Sequence, residues 1–289
     1  MGLMSEYINK QAGPNELLSE LLGLIKSYNK ERNTCMLVYA AAVEKPIPDS
    51  VLCMDDYFTI RDLLENVESD KLDFYIETPG GRGEAAEEIV GFTRDKFKNI
   101  DFVVSGEAKS AGTILALSGD DILMTKTGSL GPIDAQVKIG RSTVSAHDYI
   151  EWVNQKRTEA EKVGRLNPFD AVITAQITPG ELCHVLYAQK FSEDLVKEWL
   201  PKYKFKNWVT TETRSASVTM EMKQARANEI ASNLIDHSKW KSHGRSLKIA
   251  DLEEIGLKIV KIDDNSSLAN IIYRIHTQYL RHITIYNII

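Results

Sequence analysis

The spacing of apolar residues changes period repeatedly along the chain, and each change marks an expected element. Leu17, Leu18, Leu21, Leu22 and Ile25 fall on one stripe at helical spacing, which predicts an amphipathic helix over about 15–30. The run Cys35-Met-Leu-Val-Tyr-Ala-Ala then reads as a buried strand, 56–67 as a helix with Asp55 or Asp56 near its start, and Leu72-Asp-Phe-Tyr-Ile as a second strand. After a Thr-Pro-Gly-Gly turn, 84–98 puts Ala86, Ile89, Val90 and Phe97 on one helical face, and 101–105 supplies a third strand around Phe-Val-Val. The segment from Ser110 to Leu117 is almost wholly apolar, so this short helix has to be buried; 121–124 reads as a further strand end.

Strands alternating with helices predict an α/β fold with a parallel sheet and right-handed βα crossovers. Beyond about residue 145 the strand signal fades, and helical spacing returns at 145–163, 179–200 and 219–237, followed by a helix and strand at 249–262. The expected organisation is an N-terminal helical extension over 1–34, a main domain over 35–262 with a helical insertion at about 145–237, and a helical tail over 263–289. In that tail Leu268, Ile271, Ile272, Ile275 and Leu280 form a stripe, followed by Ile283, Ile285, Ile288 and Ile289. So much apolar surface predicts either a contact between copies in a homo-oligomer or a helix folded back on its own core.

Composition narrows the function classes. With 41 acidic against 35 basic residues, the net charge of -6 gives no electrostatic reason to expect nucleic acid or an anionic membrane as partner. The single basic run interleaved with aromatics, Lys202-Tyr-Lys-Phe-Lys-Asn-Trp, reads as a solvated strand or loop. Cys35, Cys53 and Cys183 form no CxxC pair, which suits reduced thiols in a cytoplasmic protein, and no apolar run has the length of a signal peptide or membrane span. His147, His184, His237, His276 and His282 show no ligand spacing, so no catalytic metal is expected. Neither GxxxxGK[ST] nor GxGxxG occurs; no cofactor is expected, and any ATP-driven unfolding would come from a separate partner.

The candidate chemistry lies in two glycine-containing turns, Thr78-Pro-Gly-Gly-Arg-Gly83 and Ser105-Gly-Glu-Ala-Lys-Ser-Ala-Gly-Thr113, at the carboxyl ends of neighbouring expected strands. Open α/β sheets bind ligands there. Ser110 opens the buried helix, so its hydroxyl is near exposed backbone amides and the positive end of the helix dipole. Taken singly, Ser110 reads first as an N-cap and the glycines as turn residues. Together they offer what acyl transfer needs: a nucleophile and amide donors converging on one oxygen, with small residues that let a carbonyl approach.

The stretch from Glu77-Thr-Pro-Gly-Gly-Arg-Gly to Gly128-Ser-Leu-Gly-Pro-Ile-Asp-Ala-Gln-Val resembles the ClpP/SppA-like serine peptidases of the crotonase-like fold, and looks closest to the serine dehydrogenase proteinase family. The likeness covers about 36–137, and a weaker one runs from Trp240-Lys-Ser-His-Gly-Arg-Ser to Gly256-Leu-Lys-Ile. It implies a ClpP/crotonase-like α/β core plus a mainly helical C-terminal part, Ser110 as nucleophile, and the amides of Gly81 and Ala111 as an oxyanion hole. Backbone edges near 81–83 and Leu130 would pair with an extended peptide.

The base departs from the ClpP pattern. Asp134 stands where ClpP has its histidine, and His243 stands near where ClpP contributes its aspartate. The expectation is therefore His243 as base with Asp134 orienting it, the same roles supplied from exchanged loops. The plainer readings, a bracing histidine and an Asx-type turn, stay open beside it. A Ser-Lys dyad using Lys162 or Lys156 is the rival, although the charged run 151–162 also reads as a solvated helix face. Lys109, next to the nucleophile, is expected to point away from it.

The implied function is a serine endopeptidase that cleaves peptides or unfolded protein through an acyl-enzyme on Ser110, as a homo-oligomer with a separate unfoldase or adaptor as candidate partner. A crotonase-type acyl-thioester enzyme, which needs the amide donors but no nucleophilic serine, and an inactive peptide-binding scaffold are the alternatives.

Overall fold

The computed structural model describes residues 2–10, 13–43, 50–211 and 215–286, with the side chains of Ile8 and 280–286 excepted. Two helices, α1 (Leu3–Lys10) and α2 (Pro14–Arg32), precede the first strand, β1 (Cys35–Ala40). The βα layout follows: α3 (Met54–Leu64), β2 (Lys71–Glu77), α4 (Gly83–Lys96), β3 (Asn99–Val104), β4 (Glu107–Ala108), α5 (Ala111–Leu117), β5 (Asp121–Met124) and β6 (Ser129–Leu130). A hairpin of β7 (Gln136–Ile139) and β8 (Ser142–Ser145) leads into α6 (Ala146–Val163), α7 (Pro168–Thr174), α8 (Pro179–Trp199), α9 (Met220–Ile235) and α10 (His237–Trp240). The chain then returns to the sheet through α11 (Ile249–Glu254) and β9 (Val260–Lys261), and continues into α12 (Ser266–Tyr286).

The main sheet has five parallel strands in the order β1-β2-β3-β5-β9, as the alternation of strands and helices predicts. Side chains of β2 alternate between two buried faces, which makes the sheet a middle layer. Leu72, Phe74 and Ile76 join Phe102, Val104, Ile122 and Met124 on the front face, under α3, α4, α5, α8 and α9. Tyr75 joins Met36, Val103 and Leu123 on the rear face, covered by Tyr28 of α2 and by Leu268, Ile271, Ile272 and Ile275 of α12.

That rear packing resolves the expected tail. Its stripe covers the chain's own sheet and is not a free interface; the side chains of Leu280, Ile283 and Ile285, and residues Ile288 and Ile289, lie outside the described residues. Polar groups on the same face are closed by the two covering helices. Asp73, buried in β2, accepts from Tyr28 at 2.6 Å, Arg32 Nε at 2.9 Å and Thr34 at 2.9 Å, while Arg32 Nη2 reaches Asp101 at 2.7 Å. At the other end of β2, buried Glu77 meets His276 Nδ1 of α12 at 3.1 Å. Among the described residues no helix is long and apolar enough to cross a membrane.

Helix ends follow local chemistry. Ser145, Asn167, Thr178 and Thr219 accept from backbone amides as N-caps of α6, α7, α8 and α9, and Asn33 ends α2 in a left-handed conformation. The centre of the front core is aromatic: Phe74 stacks on Phe102 with centroids 5.2 Å apart. Phe74→Ala is expected to lower unfolding stability by about 3–5 kcal/mol, as a large-to-small change in a closed core, measured by urea denaturation. A loss below about 1 kcal/mol would show a core that collapses around the gap.

Candidate active site

Ser110 sits between β4 and α5 with φ 50° and ψ −117°. The Gly112 amide donates to the Lys109 carbonyl at 2.8 Å, closing a four-residue turn in which Ser110 holds the second position. Those angles are those of a type II′ turn, where glycine is the usual occupant. A β-carbon there is strained, and the strain holds the serine at the tip of a sharp turn, directly before a helix whose residues from Ala111 to Leu117 are all buried.

The Pro-Gly-Gly turn lies against this tip. Gly80 has φ 110°, and a β-carbon on it would come within 2.6 Å of Ser110 Cβ, so only glycine permits the approach. At Gly81, φ is 154° and a β-carbon would meet the Leu52 carbonyl oxygen at 2.2 Å. Leu52 bonds to both neighbours, its amide to the Gly80 carbonyl and its carbonyl to the Arg82 amide, each at 2.8 Å. Gly81 therefore turns its own amide to the opposite side. Among the described residues neither the Gly81 nor the Ala111 N–H has a hydrogen-bond partner.

Backbone pairing fixes the three loops relative to one another. Thr78 bridges to Ala108, with its amide on the Glu107 carbonyl at 2.8 Å and its carbonyl taking the Lys109 amide at 3.0 Å. β4 pairs with β6, and Thr113 Oγ accepts the Gly131 amide at 2.9 Å while donating to the Ala108 carbonyl at 2.7 Å. The edge at Leu130, expected to receive a peptide, is already used: Leu130 and Leu247 exchange both backbone hydrogen bonds, at 3.1 and 2.9 Å. The edge at Gly81 keeps its outward amide.

Asp134 and His243 are brought together. His243 Nδ1 lies 2.8 Å from Asp134 Oδ1, on a carboxylate that is fully buried. Its second oxygen receives Gln136 Nε2 at 2.8 Å and His237 Nδ1 at 3.2 Å. Burial alone would raise the Asp134 pKa, but the hydrogen bonds from His243 and His237 hold it below the ordinary carboxylate value. With Nδ1 engaged, His243 has Nε2 left for proton transfer. No hydrogen bond joins His243 to the Ser110 hydroxyl in this conformation.

Lys109 anchors the loop that carries His243. Its Nζ, on a side chain that is almost fully buried, donates to Ser246 Oγ at 2.8 Å and to the Leu130 and Arg245 carbonyls at 3.2 Å each. Burial lowers its pKa to about 8, partly opposed by Glu107. Of the rival lysines, Lys156 is paired with Asp170 at 2.6 Å and Glu159 at 3.1 Å, contacts that raise its pKa, whereas a base needs a lowered one. Lys162 is exposed on α6 and lines a groove of about 750 Å³ together with His147, Glu151 and Gln189. His237 escaped the sequence reading, because its partner is 103 residues away and no local spacing marks the pair.

The site is thus a serine on a strained strand-to-helix turn, facing a glycine turn with an outward amide. Residues 46–197, just over half of the chain, match the family of ClpP-like SDH-type serine proteinases. The chain belongs to that family. Two uncharacterized proteins of Methanocaldococcus jannaschii are similar to it. One is 29% identical over 92 residues, 32% of this chain and 32% of its own length; the other is 24% identical over 183 residues, 61% of this chain and 63% of its own length. The chain thus spans about a third of the first and under two thirds of the second.

The turn strain has a measurable signature. Ser110→Gly is expected to be more stable than Ser110→Ala by about 1 kcal/mol, since glycine relieves a strain of about 1–3 kcal/mol and loses part of that to its unfolded-state freedom. Chemical denaturation of the two variants checks this; equal stabilities would mean that the turn relaxes around a side chain.

Proposed function

We propose that this chain is a serine endopeptidase acting on peptides or unfolded protein segments, with Ser110 as nucleophile. The observation that carries the reading is the conformation of Ser110: a strained position next to two unpartnered amides is a cost a purely structural cap does not require. Ser110 Oγ would attack the scissile carbonyl carbon as its proton passes to His243 Nε2, and the oxyanion would take hydrogen bonds from the Gly81 and Ala111 amides. Collapse of that intermediate expels the amine, protonated by the same imidazole, and leaves an ester on Ser110. Water, deprotonated by His243, then attacks the ester and frees the acid product. Asp134 holds the imidazole by its Nδ1 and balances its charge when protonated.

For that transfer the His243 loop has to close on Ser110 when substrate binds, as apo catalytic hydrogen bonds commonly tighten only in the complex. The peptide would pair along the open Gly81 edge. Homo-oligomerisation belongs to the same proposal, and exposed Phe169, Val172 and Tyr187 on α7 and α8 supply apolar surface suited to it. A cytoplasmic setting, with folded substrates delivered by a separate ATP-driven unfoldase or adaptor, is the context this reading implies.

A fluorophosphonate probe tests the nucleophile. Wild-type protein is expected to be labelled and to hydrolyse unfolded protein, and Ser110→Ala to do neither while staying folded. Substantial turnover by Ser110→Ala would remove the assignment, and absence of labelling in both would favour the thioester-enzyme or scaffold reading.

Comparison of two further variants tests the base. The acylation rate of His243→Ala is expected to fall about 10²–10⁴-fold, with Lys162→Met near wild type. The reverse pattern would move the base to α6.

A further inference from the structure

The start of α6 brings one imidazole and two carboxylates together, and the short α10 sets a second imidazole, His237, beside one of those carboxylates. His147, Asp148 and Glu151 each offer a ligand atom, and these atoms lie within 4.8 Å of one another. His147 Nδ1 is 3.6 Å from Asp148 Oδ1 and 4.0 Å from Glu151 Oε2; it is buried and has no hydrogen-bond partner among the described residues. From the side of α10, His237 Nε2 lies 3.7 Å from Asp148 Oδ2.

We propose that His147, Asp148 and Glu151 form a binding site for a divalent transition metal, with zinc the best chemical match, water completing its coordination and His237 standing beside Asp148. Hydrogen bonds do not account for the arrangement, because the nitrogen-to-oxygen separations of 3.6–4.0 Å exceed hydrogen-bond length. A metal accounts for them better. Zinc bonds of about 2.0–2.2 Å in a tetrahedral site leave ligand atoms roughly 3.3 Å apart. Small rotations of the half-exposed carboxylates of Asp148 and Glu151 close the remaining gap.

The second shell is also in place. His237 Nδ1 is on Asp134 Oδ2 at 3.2 Å, which fixes the ring with Nε2 facing the Asp148 carboxylate at 3.7 Å. Ligating carboxylates are commonly held by such an outer partner. One imidazole with two carboxylates and an open position suits zinc, whereas magnesium and calcium favour oxygen alone. The groove lined by His147 and Glu151 gives an entry path from solvent.

Metal binding is read directly, without peptidase activity. The chelator-treated, desalted chain is titrated with Zn²⁺ by calorimetry, and the Co²⁺ form is examined by visible absorption. One zinc per chain is expected, with a cobalt spectrum free of thiolate charge transfer, so that Cys35, Cys53 and Cys183 are not the ligands. His147→Ala and His237→Ala should each weaken binding by at least about tenfold, and His184→Ala, an exposed histidine on α8, should leave it unchanged. Retained affinity in His147→Ala, whose side chain is partly exposed, overturns the proposal even if His237→Ala misfolds. So does a wild-type chain that binds no zinc at tens of micromolar, or a cobalt form with thiolate bands.

Discussion

A serine at φ 50° and ψ −117° holds only if its surroundings fix it more firmly than the strain pushes back. Those surroundings are the rest of the site. The Thr78 and Ala108 bridge clamps the turn on one side, and the β4–β6 pair with the Thr113 hydroxyl clamps it on the other. Behind it, α5 is buried along its whole length, so the helix cannot shift to release the turn. Gly80 completes the arrangement by leaving out the one carbon that would collide with the serine. The apolar character of α5, which makes it look like featureless core in the sequence, is what gives Ser110 a rigid base.

Electrostatically the site is organised around one carboxylate. Asp134 has no exposure, yet it stays ionised because three side chains donate into it from separate elements. Such a group fixes the positions of its donors relative to one another. His243 and His237 are therefore oriented together, and Lys109 fastens the same region from the nucleophile side through Arg245 and Ser246. One buried charge and one buried lysine thereby tie two loops that are more than a hundred residues from the turn they serve.

The sheet and its order of strands and helices were legible in the sequence, because burial on two faces leaves continuous apolar runs such as Phe-Val-Val and Ile-Leu-Met. The place of Ser110 at the head of a buried helix and of the glycine turn beside it was legible too, as was the meeting of Asp134 with His243, the last through a family resemblance and not through spacing. What escaped was long-range. Helix α1 buries Tyr7 through contacts with Gln278 and Arg274, partners about 270 residues away. The β7–β8 hairpin has no counterpart among the expected elements, since four residues per strand are too few for alternation to stand out. The Leu130 edge was expected to be open because nothing local announces that Leu247 returns to fill it. His237 was set aside by a test for neighbouring ligands that its true partner could not pass.

The rear layer of the sheet has a consequence for how the molecule comes into being. Tyr75 and Val103 wait on that face for α12, and Tyr75 meets His276 across a separation of 201 residues. During synthesis the central strands emerge long before the helix that covers them. The nascent sheet must therefore pass through a stage with an apolar face and the buried carboxylates Asp73 and Glu77 open to the surroundings. Contacts of such separation form late and slowly. A protein of the peptidase family would thus itself spend its early life as an incompletely folded chain, and closing α12 over the sheet would be the step that ends its exposure to chaperones and to proteases of its own kind.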